Sequence, residues 1–373
     1  MGNYAEKQLA PATLESYIMR INKRIVPALG HIRLSKLQPH HLLKFYSNLE
    51  EAGTRLDTYY KPTDGLLPLL NGVTANDIGV SLKTFLRLKN GERTIFDVVA
   101  KISAYFGRDD LFVIENKEAV LSGKTIKHHH DLICSILSTA VKWNLITSNP
   151  AERLTPPKIT KKPIQYYDES EVANLLALLN NESLVYKTAL FLAIDTGIRL
   201  SELAGLTWAD VDYSNNRLRI DKQRQYVAGY GTFTKCPKTE SGTRFVTMSA
   251  TVTALLKKYR TEQTENRLKM GNLWVDSGNI FVHEDGTPLH PERPYKWFMD
   301  FIKRKNLPKI TFHALRHTNA SLMIAQGVDV VTMSGRLGHA DKNVTLNTYS
   351  HVISSKEKQA ANQMDDFYAK YLN

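Results

Sequence analysis

Apolar positions near the start of the chain recur with helical spacing. Leu14, Tyr17, Ile18, Ile21 and Ile25 fall at i, i+3, i+4, i+7 and i+11, which predicts one buried helix face. Pro27 is expected to end that helix, and Leu29-Gly30 to turn the chain. A second helix is predicted from Pro39, a residue suited to the first helical turn, with Leu42, Phe45, Tyr46 and Leu49 buried. A third is predicted from about Ser122 to Asn144, with Ile126, Ile133, Leu137, Ala140 and Val141 on its apolar side.

The segment PAERLTPPKITKKPIQYYD, residues 150 to 168, breaks this pattern. Its Pro and Lys content reads as a semi-rigid basic linker between domains, with 156–167 as its central part. Beyond it, helical spacing over 168–179 and 184–195 gives way to short β-segments at 217–220, 222–227, 231–235 and 243–248. Helical spacing returns at 249–270, 291–305, 313–326 and 329–336. The fold class expected is mainly α with a small antiparallel β-sheet (α+β).

Composition narrows the partners. A chain of 373 residues exceeds one ordinary core, so two or three domains are expected. The 49 Lys and Arg outnumber the 37 Asp and Glu, and a formal charge of +12 suits a polyanion such as nucleic acid. No apolar run approaches the ~20 residues that cross a bilayer. MGNYAEKQLA lacks the apolar core of a signal peptide, and Glu6 stands where myristoylation of Gly2 would want Ser or Thr. Cys134 and Cys236 lie in unrelated segments, so neither a disulfide framework nor a cysteine zinc site is indicated. A cytoplasmic protein without a membrane partner is expected.

The stretch ITFHALRHTN, residues 310 to 319, carries candidate chemistry. His313 and His317 stand four apart, as in helical zinc sites, but the Glu that a zinc protease needs after the first histidine is Ala314. His313 and Arg316, three apart, share a helix face and point instead to an anion. Upstream, DTGIRLSEL puts Arg199 just after a glycine turn at a helix start, a reasonable phosphate cradle, with Glu202 one turn on to orient it. Downstream, GRLGHADKNVTLNTYSHV supplies His339 and Tyr349. Two arginines, two histidines and a tyrosine suit a reaction at a phosphodiester, where guanidiniums neutralise developing charge and a phenol attacks phosphorus. The internal run His128–His130 sits within a helical pattern, so its rings diverge and a metal tract is not expected.

TGIRLSEL, PKTESGTR, HALRH, LGH and NTYSHV, in that order, resemble the signature boxes of the tyrosine recombinase (phage-type integrase) family. The spacing is specific: H-x-x-R, a histidine 23 residues after the arginine, and a tyrosine ten further on. The likeness spans roughly 160–355 for the catalytic domain, and the helices at 11–51 and 120–150 resemble the family's core-binding domain. It implies core-binding (SAM-like) helices at 1–58 and 120–155, a linker at 156–167, and a catalytic domain with a C-terminal tail helix at 168–373.

Its implied activity is site-specific DNA recombination through a 3′-phosphotyrosyl intermediate, with no metal and no cofactor, for integration or excision of a mobile element. Tyr349 would be the nucleophile and Arg199 and Arg316 the phosphate grips. His313 and His339 would assist, and Lys238 would be the general acid, with Lys235 as its rival. Lys124, Lys127 and His128 line the start of the third helix and would face the DNA backbone, if they are not simply a solvated helix face, and Arg244 joins the lysines as a DNA-contact candidate. The partners implied are double-stranded DNA with attachment or core sites, a homotetramer on that DNA, and an excisionase or host DNA-bending factor. The location implied is the bacterial nucleoid. His317 and His351 are expected to play local structural roles, and Cys236 none in catalysis. The tail VISSKEKQAANQMDDFYAKYLN would dock on a neighbouring protomer, with packing on its own domain as the alternative. The family's N-terminal arm-binding domain is expected to be missing, since the first core helix begins near Ala12. The alternatives are a Xer-like resolvase, a type IB topoisomerase-like activity, or a DNA-binding regulator with an inactive catalytic domain.

Residues 59–119 interrupt the core-binding helices. Within them, GVSLKTFLRLKNGERTIFDVVAKISAYFG resembles the helix-turn-helix of Cro/C1-type repressors, although the helix before the turn is reduced to TANDI. The resemblance implies that Ser81 caps a recognition helix from which Lys83, Thr84 and Arg87 face DNA. Eight Lys and Arg balance eight Asp and Glu in this block, so a protein contact or a vestigial insert stand as alternatives.

Overall fold

The computed structural model describes residues 2–51, 59–115, 120–159, 164–236, 243–338, 364–365 and 367–371. The chain divides into two compact units, Met1–Lys162 and Pro163–Asn373. Among the described residues, no helix is long and apolar enough to cross a membrane.

The first unit begins with α1 (Gly2–Gln8) and α2 (Pro11–Arg20), which runs through a π-helical turn at Ile21–Ile25 into α3 (Val26–Leu29). Pro27 therefore does not end the helix as predicted. It sits in the first turn of α3, and the Val26 N–H reaches back five residues to Ile21, so the ladder has already changed register where proline would interrupt it. Of the predicted apolar stripe only Leu14 is buried; Ile18, in the regular helix before the π-turn, is 46% exposed and lines an open apolar groove with Leu132 and Ile136.

Helix α4 (Pro39–Glu50) buries the expected Leu42, Phe45, Tyr46 and Leu49. Two further elements of this unit, β1 (Tyr60–Pro62) and a run of short helices, open the inserted block. These are α5 (Leu66–Leu69), α6 (Ala75–Ile78), α7 (Leu82–Lys89) and α8 (Phe96–Phe106). Strand β2 (Phe112–Ile114) closes the block by pairing antiparallel with β1. The block has its own core of Leu66, Leu70, Ile78, Phe85, Leu88 and Ile102. Helix α9 (Gly123–Lys142) packs Ile126, Ile133 and Leu137 on α4, each such side chain contributing about 1.5–3 kcal/mol by leaving water. It also buries His129 and His130. His129 bonds the Thr125 carbonyl, and His130 bonds the Tyr46 hydroxyl at 3.0 Å. The expected linker starts later than Pro150: Ala151 is fully buried beside these helices, positioned by Asn149.

The second unit opens with Tyr167, which also belongs to a core and not to a linker; its hydroxyl bonds the Pro308 carbonyl at 2.6 Å. Asp168 and Glu171 form a reciprocal cap on α10 (Glu169–Leu179). Then come α11 (Leu184–Thr196), α12 (Leu200–Gly205), β3 (Val211–Asp212), β4 (Arg217–Ile220), β5 (Gln223–Val227), β6 (Gly231–Lys235) and β7 (Arg244–Thr247). Helices α13 (Ala250–Met270), α14 (Arg293–Arg304), α15 (Ala314–Ala325) and α16 (Val330–Leu337) follow. The strands lie where the alternation put them, as an antiparallel sheet β3–β4–β7 and a separate β5–β6 ribbon. Leu190, Leu203, Leu256, Phe298, Phe301 and Leu315 centre the core. The described tail residues are helical, with Met364, Phe367, Tyr368 and Tyr371 exposed.

Candidate functional site

Two left-handed glycines build the site. Gly197 ends α11 at φ 62°, and a Cβ there would meet Leu337 Cδ2 at 2.5 Å. Gly338 ends α16 at φ 67°, and a Cβ there would meet Arg244 Cδ at 2.9 Å. Only glycine satisfies both the backbone and the close approach, so the two turns abut.

Arg199 follows the first turn and precedes α12. Its Nη1 donates to Glu202 Oε1 at 2.8 Å, and its Nη2 to the Gly338 carbonyl at 3.3 Å. Arg316, on the first turn of α15, is 2% exposed. Its Nη1 donates to the Gly197 carbonyl at 2.8 Å and its Nη2 to the Leu337 carbonyl at 2.6 Å. The two guanidiniums thus bind consecutive carbonyls of one turn, Leu337 and Gly338. Three residues beyond Arg316, Asn319 donates to the Ile194 and Asp195 carbonyls at the end of α11.

Glu202 has no exposed side-chain surface and accepts four N–H groups. Two come from Arg199, its backbone N–H and Nη1, and two from Arg244, Nη1 at 3.2 Å and Nη2 at 2.9 Å. Burial by itself would raise this carboxyl, but the bonds and charge of Arg244, then of Arg199, outweigh it and hold it below the ordinary range. His313 stays open to solvent on one side. Partial burial, then Arg316 and Arg199, lower its pKa and favour the neutral ring, which has one donor and one acceptor. His317 crosses it edge-on at 5.2 Å, and burial, then His313 and Arg316, push it down to about 4. Among the described residues, no group of three or more His, Cys, Asp or Glu is placed to hold a metal ion.

The remaining candidates fall in different places. Lys238, His339 and Tyr349, as well as His351 and most of the tail, lie outside the described residues. Arg244 has a side chain 7% exposed, and its donors go to Glu202 and the Arg336 carbonyl. Arg87 is drawn back to Glu92 at 2.8 Å, whereas Lys83 is exposed. Lys127 pairs with Asp131 at 2.7 Å, and Lys124 is exposed at the start of α9. Ser81 caps α7, accepting the Thr84 N–H at 3.1 Å, while Leu82 and Leu86 stand exposed along the same helix. Sequence reasoning missed Arg336, whose guanidinium donates to the Thr247 and Asp195 carbonyls, and it missed Asn319. The usable signal was a charge and an amide at positions three residues from Met333 and Arg316, within otherwise apolar helical faces.

Residues 165–356 match the phage integrase family, and residues 2–49 match the phage integrase N-terminal SAM-like domain. A XerC-like tyrosine recombinase of Caldanaerobacter subterraneus is 29% identical, covering 66% of this chain and 67% of its own. The ICEBs1 integrase of Bacillus subtilis is 27% identical, covering 71% of this chain and 74% of its own. The fold is that of the Tn1549 transposon integrase solved with circular intermediate DNA, at a TM-score of 0.56 and 22% identity, over 81% of this chain and 99% of that one.

Fold and relatives define the class, a tyrosine-type site-specific DNA recombinase. The chain belongs to the phage integrase family, whose catalytic-domain model matches more than half of it.

Proposed function

We propose that this integrase cuts and rejoins double-stranded DNA at the attachment sites of a mobile element, with Tyr349 as nucleophile. The Tyr349 oxygen attacks phosphorus, the bond to the 5′-oxygen breaks, and Lys238 gives that oxygen a proton. The phenol proton passes to His313 or His339. Arg199 and Arg316 hold the nonbridging oxygens as charge builds. The phosphotyrosyl ester keeps the energy of the original bond, so a free 5′-hydroxyl can reverse the step on either partner strand. Exchange proceeds through a Holliday junction in a homotetramer, in the bacterial cytoplasm at the nucleoid, with an excisionase or host bending factor setting direction.

One observation carries this reading: Arg199 and Arg316, 117 residues apart in the chain, donate to the adjacent Leu337 and Gly338 carbonyls. Fixed guanidiniums side by side suit a phosphoryl group. The test is a nicked suicide substrate carrying the core site. Wild type should trap a covalent protein–DNA adduct and Tyr349→Phe none. An adduct with Tyr349→Phe overturns the assignment.

For residues 59–119 we propose a second DNA contact, through Lys83 and the start of α7. In support, Gly79, at φ 71°, turns α6 into α7 above a separate core. Lys124 at the head of α9 is proposed as a phosphate contact of the core-binding helices.

A further inference from the structure

Arg244 stands at the start of β7, six residues after Lys238 in the chain, and does three things at once. Its two Nη groups fill the Glu202 lone pairs that Arg199 leaves open. Its Nε donates to the Arg336 carbonyl at 3.0 Å, near the end of α16. Its Cδ lies against Gly338, the residue whose carbonyl receives Arg199. Arg336 returns the clasp, donating from α16 to the Thr247 carbonyl in β7 at 2.7 Å. Strand β7, the end of α16 and the Arg199 turn thus meet at one side chain.

We propose that Arg244 is a positioning residue for strand cleavage: it holds Glu202, and through Glu202 the Arg199 guanidinium, against the Leu337–Gly338 turn. This rests on the recombinase reading of Arg199 and adds a role that touches no DNA. Without Arg244, Glu202 keeps only Arg199 as a partner, and the buried carboxylate draws that guanidinium inward, away from a phosphate. Only a guanidinium can serve both Glu202 oxygens and the Arg336 carbonyl together, because an ammonium has no planar fork.

Arg244→Lys keeps the charge and removes the fork. On the suicide substrate at saturating protein, it should slow adduct formation about 10–100-fold, as expected for a misplaced transition-state donor. DNA affinity should stay near wild type, and the slower step should persist at a temperature well below both unfolding midpoints, where a modest loss of stability leaves the protein folded. Combined with Arg199→Lys, it should cost less than about 3-fold more, since both changes break one chain of contacts. A wild-type rate overturns the proposal. So does a loss accounted for by weaker DNA affinity or by the unfolded fraction at the assay temperature, or one that multiplies in full with Arg199→Lys, because each marks a merely structural arginine. If Arg244→Lys unfolds, the Glu202→Gln/Arg244→Gln pair, neutral on both sides, takes its place with the same outcomes. An adduct formed by Tyr349→Phe would instead sink the recombinase reading of the site, whatever Arg244 does.

Discussion

Arg316 Nη1 lies 2.8 Å from the carbonyl oxygen of Gly197, a residue 119 positions earlier in the chain. That bond ties the first turn of α15 to the glycine turn in front of Arg199. Lysine at 316 cannot hold the Gly197 and Leu337 carbonyls and still face a phosphate. Arg316→Lys should therefore bind DNA within a few-fold of wild type while adduct formation falls by about 10²–10³, the usual cost of losing one preorganised transition-state donor. Gel shift and single-turnover cleavage on one substrate separate the two effects.

Gly197 is strained by any side chain on two counts, its φ of 62° and the 2.5 Å approach to Leu337. Gly197→Ala should lower unfolding free energy by about 1–3 kcal/mol. It should also slow cleavage, because the Leu337 side chain must shift beside the carbonyl that Arg316 holds. Urea unfolding followed by fluorescence reads the first effect. An unchanged midpoint would show that the two turns are looser than the contact implies.

His317 gives a pH signature. Its folded pKa, about 4, lies below the ordinary value of 6.5, so between those values the unfolded chain binds more protons. Its contribution to stability is complete above pH 6.5 and is lost as pH falls toward 4. His129, His130 and His313 shift in the same direction, so the informative quantity is a difference. Wild type should lose about 1–2 kcal/mol more than His317→Gln between pH 7.5 and pH 5, after discounting for partial exposure. Equal losses in the two proteins would place His317 at an ordinary pKa.

The inserted block should be removable. Its ends are paired through β1 and β2, with the Glu115 N–H bonded to the Tyr59 carbonyl at 2.9 Å, and its core is its own. Replacing residues 59–119 with a short Gly/Ser linker should leave a folded protein with a shorter footprint or weaker site binding. Lys83→Glu in the intact chain should weaken binding in the same direction. An unchanged affinity and footprint for both would leave only a protein contact or a vestigial insert.

Local periodicity was enough to locate most elements. The faces of α4 and α9 and the four strand segments follow from apolar spacing, because a helix or strand buries whatever lies on one side of it. It failed where the ladder changed register, at Ile21–Ile25, since a π-turn leaves no mark in composition. It also says nothing of the burial of His130, whose ring meets the Tyr46 hydroxyl of another helix.

The site divides in the same way. Arg199, Glu202, His313 and Arg316 are legible as ordered boxes, because their residue types and spacing carry the chemistry of a phosphodiester. The order of boxes does not say which arginine faces a ligand and which holds the others in place. Arg244 reads in the sequence as one more DNA-seeking cation, and only the tertiary structure turns it inward. The reason is physical: a guanidinium goes where unpaired acceptors are, and the acceptors here, the Glu202 carboxylate and the Arg336 carbonyl, come from segments 42 and 92 residues away. The residue types able to bind a phosphate were set by the sequence alone, whereas which of them are held ready to do so was decided by long-range hydrogen bonds.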